Sequence, residues 1–150
     1  MPTSAEQQIV LLDTSAAVAL SLADHEHHAV TTSSLRGMRL GLAGHAAFET
    51  FSILTRLPGP NRRPPAVIAN LLRNNFPETT FLSTKTTQAV YSGLIGGELS
   101  GGAIYDALVG AVAVRVRVTV GLRRCRVLLL VLHVESLTLP VRQALERQRE

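Results

Sequence analysis

Aspartate occurs only three times in this chain, at positions 13, 24 and 106, and cysteine once, at position 125. A single cysteine excludes internal disulfides and thiolate zinc clusters and suits a reducing compartment. Cys125 therefore reads as a small apolar residue. Charge is also scarce: 17% of the residues are charged against 46% hydrophobic, which excludes a disordered chain. No run of about twenty uncharged apolar residues is present, so no membrane span is expected. The N-terminal MPTSAEQQ lacks a basic residue ahead of IVLL, and that apolar run is too short for a signal-peptide core. The cytoplasm is the expected location. Internal repeats and low-complexity segments are absent as well.

What is present is one domain's worth of chain, 150 residues, enough to bury about two thirds of its unfolded surface. A single domain over residues 1–140 is expected, with 1–8 a flexible tail, 114–140 atypical and 141–150 a charged tail. The net charge of +4 is unevenly placed. Residues 1–113 carry seven Arg or Lys against eight Asp or Glu, a balance of −1; residues 114–150 carry eight against three, a balance of +5. A pI near 10.2 raises a nucleic-acid partner. That signal comes wholly from the C-terminal quarter.

Strand and helix patterns alternate along the first 113 residues. IVLLD (Ile9 to Asp13) is a short buried-strand pattern, and TSAAVALSLA continues as a helix with Thr14 and Ser15 as N-cap candidates. A short helix is expected within His25 to Leu35, and MRLGLAG is a weak strand signal. GHAAFETFSILTRL then places Ala46, Phe48 or Glu49, Ser52, Ile53 and Leu57 near one helical face. The four prolines of PGPNRRPP forbid a regular helix or central strand and mark a loop. Beyond it, Ala66 to Asn74 suits a helix, TTFLST (Thr79 to Thr84) a parallel strand, TTQAVYSGLIGGEL a helix and SGGAIYDALVGAVA another, capped by Ser100 or Gly102. Apolar strands alternating with helices give an α/β class, with a parallel sheet covered on both faces.

The scarcity of acids makes their positions informative. Asp13 closes a strand, at the edge of an α/β sheet where ligands bind. Glu49 in AAFETFSIL and Asp106 in AIYDALVG are flanked by residues that a core-facing helix buries. An unpaired carboxylate there costs several kcal/mol before relaxation. A shared cation offsets that cost, because Mg²⁺ takes a few carboxylates plus waters. Thr14 and Ser15 follow Asp13 and can hydrogen-bond its carboxylate to fix the rotamer. Taken singly, each acid also suits a salt bridge or a cap.

LLDTSAAVAL, FETFSILTRLP and SGGAIYDALVGA, in this order, resemble the three acidic motifs of the PIN-domain ribonucleases, and most closely the VapC toxins of bacterial toxin–antitoxin pairs. The resemblance covers roughly residues 9–113. It implies an α/β/α sandwich with a central, mainly parallel sheet, and Mg²⁺- or Mn²⁺-dependent RNA cleavage by a metal-activated water. It also implies a homodimer and a cognate VapB-type antitoxin. Residue by residue, it assigns Asp13, Glu49 and Asp106 as the metal-binding, catalytic acids. The family usually adds a fourth acid, in a T-R-D or S-x-D motif after the strand that follows the Asp106 helix. Here that place reads VTVGLRRCRV, and the next acid is Glu135. The alternative reading is a catalytically impaired PIN-like module that keeps antitoxin or RNA binding.

Four further features have modest readings. His25, His27 and His28 are expected at a solvated helix start rather than as metal ligands. Arg62 and Arg63 are weak candidates for phosphate contact in an exposed loop. Tyr105 is assigned to packing, with placement of RNA or antitoxin as the alternative. Val114 to Val134 holds five arginines, seven valines and no carboxylate. Its VRVRVTV can form an edge strand or a basic RNA-binding ribbon. The abrupt change in residue usage after Ala113 also fits a reading frame shifted near that codon, which translation of the gene's other frames would test.

Overall fold

The computed structural model describes residues 9–95 and 100–116, without the side chains of Asp106 and residues 113–116. The tail expected over 1–8, Cys125, Glu135 and the segments 117–140 and 141–150 lie outside the described residues. Two strands, β1 (Ile9–Leu12) and β2 (Arg39–Leu42), pair in parallel, with Val10 opposite Leu40 and Leu12 opposite Leu42. A parallel pair needs a long crossover. Here it is α1 (Thr14–Ser21) and α2 (His28–Ser34). After β2 come α3 (His45–Thr55), a 3₁₀ turn (Gly59–Asn61), α4 (Pro65–Asn75), α5 (Thr84–Ile95) and α6 (Ala103–Val116).

Alternation along the strands divides the core between two faces. Val10 and Leu12 pack with Ala16, Ala17, Leu35, Leu42 and Phe76 on one side. Leu11 turns the other way, onto Ala43 and Val112 of α6. The small parallel sheet is therefore flanked by helices, an α/β PIN-like arrangement. No described helix is long and apolar enough to cross a membrane.

Several local expectations need correction. The weak MRLGLAG signal is the true second strand, whereas the strand expected over Thr79–Thr84 shrinks to a single bridge, Thr80 to Ala43. The Thr79 hydroxyl explains this: it accepts the Leu42 N–H at 3.1 Å, where a longer ladder would use a backbone carbonyl. Thr80 still donates its N–H to the Leu42 carbonyl, and its own carbonyl accepts the Gly44 N–H at 2.8 Å. On α3 the fully buried stripe is Ala46, Thr50 and Leu54, not the face through Ser52 and Leu57. The proline loop contains the 3₁₀ turn, and its last proline, Pro65, opens α4, where a missing N–H costs nothing. Val114–Val116 continue α6 rather than beginning the edge strand read in VRVRVTV.

Gly44 sets the direction of α3. It is the N-cap at φ 48°, ψ −100°, a conformation that side chains rarely adopt, and a Cβ there would lie 3.2 Å from Val112 Cγ2. It turns the chain from the end of β2 so that α3 starts beside α1.

Candidate active site

Both strands end at one edge of the sheet, where α1 and α3 begin, the usual place for a ligand in a parallel α/β sheet. Asp13 follows β1 directly. Its side chain, rather than Thr14 or Ser15 as the sequence suggested, caps α1: Oδ1 accepts the Ala16 N–H at 2.8 Å. The Ser15 hydroxyl donates to Oδ2 at 2.9 Å. Two donors thus fix the carboxylate's rotamer. Each carboxylate oxygen has two lone pairs, so such bonds orient it without exhausting it as an acceptor.

Glu49 arrives from α3. Its Oε2 accepts the Thr14 hydroxyl at 2.5 Å, a bond between residues 35 apart in sequence. Consecutive residues, Asp13 and Thr14, therefore join one carboxylate and anchor the other. Both acids are half-buried and line one cleft of about 520 Å³. α6 passes the same cleft with Tyr105 and Val109. The side chain of Asp106, between them in sequence, lies outside the described residues. Among the described residues, no three His, Cys, Asp or Glu side chains form a group that could hold a metal ion.

Arg62 and Arg63 do not line the cleft. Both are exposed; Arg63 Nη1 donates to the Pro60 carbonyl at 2.6 Å. Neighbouring Asn61 donates to Asp24 at 2.9 Å, which ties the proline loop to the loop between α1 and α2.

That second loop corrects the reading of the histidines. His25 and His27 are half-buried and line the cleft, while His28 turns away, with Nδ1 at 3.0 Å from the Ala19 carbonyl of α1. His25 accepts the His27 N–H at Nδ1, 3.1 Å, so the neutral ring carries its proton on Nε2. The cleft also contains His45, which sequence reasoning passed over. It stands one helical turn before Glu49, and that spacing was the available signal. Its ring stacks on Tyr105, centroids 4.5 Å apart and planes 14° from parallel. No lysine or arginine is among the described residues of the cleft wall.

No family model and no solved structure matches the chain. Curated proteins do. It is 38% identical over 115 residues to ribonuclease VapC27 of Mycobacterium tuberculosis, a match covering 77% of this chain and 84% of that protein. It is 39% identical over 106 residues to ribonuclease VapC40 of the same organism, covering 67% of this chain and 75% of the relative. Identity at this level, over most of both chains and on an α/β fold, places the protein in the family of VapC-type PIN ribonucleases.

Proposed function

We propose that the protein is a Mg²⁺- or Mn²⁺-dependent endoribonuclease, the toxin of a VapBC-type pair, with Asp13, Glu49 and Asp106 as its acids. The observation that carries the reading is the meeting of Asp13 and Glu49 on one cleft, linked through Thr14. Two half-buried carboxylates facing a common space repel each other unless a cation lies between them. Their hard oxygen donors suit Mg²⁺ or Mn²⁺. Asp106 is the third acid because the family resemblance assigns it and because Tyr105 and Val109, which flank it in sequence, line the cleft.

When bound, the metal supplies a lowered pKa for an attacking water and neutralises charge on the phosphate oxygens. The protein's own groups do the rest. Asp13 and Glu49 would hold the cation, Ser15 and Thr14 hold those carboxylates in place, and no side-chain nucleophile is required. Cleavage of total RNA in Mg²⁺ or Mn²⁺ is expected to stop with EDTA and to return with excess metal. Cleavage that persists in EDTA would remove the metal from the proposal.

Thr14 gives a finer test. Thr14→Val keeps the shape and loses the hydroxyl that anchors Glu49; supports of this kind are worth about 10–100-fold in metal affinity or activity. The Mn²⁺ concentration for half-maximal cleavage should rise about ten-fold, and Thr14→Ser should restore it. A Thr14→Val protein with the wild-type metal dependence would show that the bond is only structural.

The proposed partners are RNA as substrate, a VapB-type antitoxin, and a second copy of the chain in a homodimer, in the cytoplasm. A second reading is favoured by one sequence observation, the absence of any aspartate after Asp106. On that reading the chain is an impaired module, its gene frameshifted near codon 113, that retains antitoxin or RNA binding. RNA binding without metal-dependent cleavage would select it.

A further inference from the structure

The histidine and tyrosine rings in the cleft suggest what lies next to the scissile phosphate. We propose that the stacked His45–Tyr105 pair is the platform for one unpaired nucleobase of the substrate, which makes Tyr105 a substrate-positioning residue. The inference rests on the ribonuclease reading for its substrate class.

Three observations converge on it. The two rings already lie nearly parallel, so the platform is formed before any ligand arrives. Tyr105 is 46% exposed although one face is stacked, and it lines the cleft, so a ring surface remains for a planar guest. His45 and Glu49 lie on the same side of α3 one turn apart, about 6 Å along the helix axis. A nucleotide with its phosphate at the carboxylates therefore carries its base towards the rings.

The size of the cleft, about 520 Å³, is that of a small-molecule site. It suits one or two nucleotides splayed out of a loop, the form in which proteins read RNA bases on tyrosine and histidine rings. A duplex keeps its bases stacked on one another and offers none to the platform.

The composition provides a direct readout. The chain has no tryptophan and two tyrosines, Tyr91 and Tyr105. Tyr91 is exposed on α5 and is not among the residues lining the cleft, so Tyr91→Phe leaves Tyr105 as the sole emitter. In a Tyr91→Phe, Asp13→Asn protein, blocked for cleavage, single-stranded octaribonucleotides should quench tyrosine emission saturably. Anisotropy of a fluorescein-labelled octamer should show Tyr105→Leu weakening binding about ten-fold. Tyr105→Phe, which keeps the ring, should stay within about two-fold.

Three results would overturn the platform. One is binding without quenching; another is wild-type affinity in a folded Tyr105→Leu protein. The third is quenching by a cationic peptide but by no RNA, which would give the cleft to a protein partner. These binding experiments do not depend on cleavage. A wild-type chain that fails to cut RNA counts against the ribonuclease reading and leaves the platform to be judged on quenching alone.

Discussion

Asp13→Asn is expected to leave the protein folded and to lower RNA cleavage by about 10³-fold or more. Asparagine is chosen because Asp13 has a structural duty as well as the proposed catalytic one. It caps α1 through the Ala16 N–H, and loss of such a cap costs about 0.5–2 kcal/mol. Asparagine caps as well as aspartate does. Its carbonyl oxygen can keep the Ala16 bond, and its amide can donate to Ser15, whose hydroxyl reverses roles. Only the negative charge and the second anionic oxygen are lost. Asp13→Ala, by contrast, confounds a weakened helix with a lost metal ligand. Cleavage assays paired with thermal melts separate the two effects. Cleavage within three-fold of wild type in the asparagine variant would dismiss Asp13 from the chemistry.

The largest stability effect is expected far from any charge. A Cβ added at Gly41 would lie 2.3 Å from both the carbonyl carbon and the oxygen of Glu78, and 2.7 Å from Leu11 Cδ2. Backbone cannot swing aside as a flexible side chain can. Gly41→Ala should therefore cost about 3 kcal/mol or more, which for a domain of this size lowers Tm by about 10 °C. Gly37 is the natural control. Its φ of 78° disfavours a side chain, but nothing lies within 4 Å of an added Cβ. Gly37→Ala should cost only about 1 kcal/mol. Equal losses in the two variants, measured by urea unfolding, would mean that the approach of Glu78 to β2 is not what makes Gly41 necessary. The clash also bears on the cleft, because the segment after Glu78 carries the Thr80 carbonyl that accepts the Gly44 N–H ahead of α3.

The layers of the fold were legible because burial leaves a periodic mark. IVLL followed by Asp13, and a helical pattern around Glu49, gave both elements whose acids meet at the cleft. Strand strength was not legible in the same way. TTFLST is richer in strand formers than MRLGLAG, yet MRLGLAG is the strand, because Gly41 permits the close approach of Glu78 and Thr79 spends its hydroxyl on Leu42. Such contacts join residues 37 or more apart and leave no local pattern. The histidines show the same limit. In sequence, DHEHH is a polar run; in space, the loop is tethered by Asp24 to Asn61, and two of its three imidazoles line the acid cleft. His45 was within reach of helical spacing, but its stacking on Tyr105 required knowing that α6 crosses there.

The bond between Thr14 and Glu49 also has a meaning in time. At about 5–20 residues per second, a ribosome delivers Glu49 seconds after Thr14, and α6 seconds later again. The parallel pairing of β1 with β2 has to wait for the whole crossover, and such long-range pairing is slow to form. During synthesis the residues of α1 therefore emerge before the carboxylate that Thr14 anchors, and the cleft closes late. The walls of the proposed cleft, drawn from α1, α3 and α6, cannot meet until α6 has been synthesised.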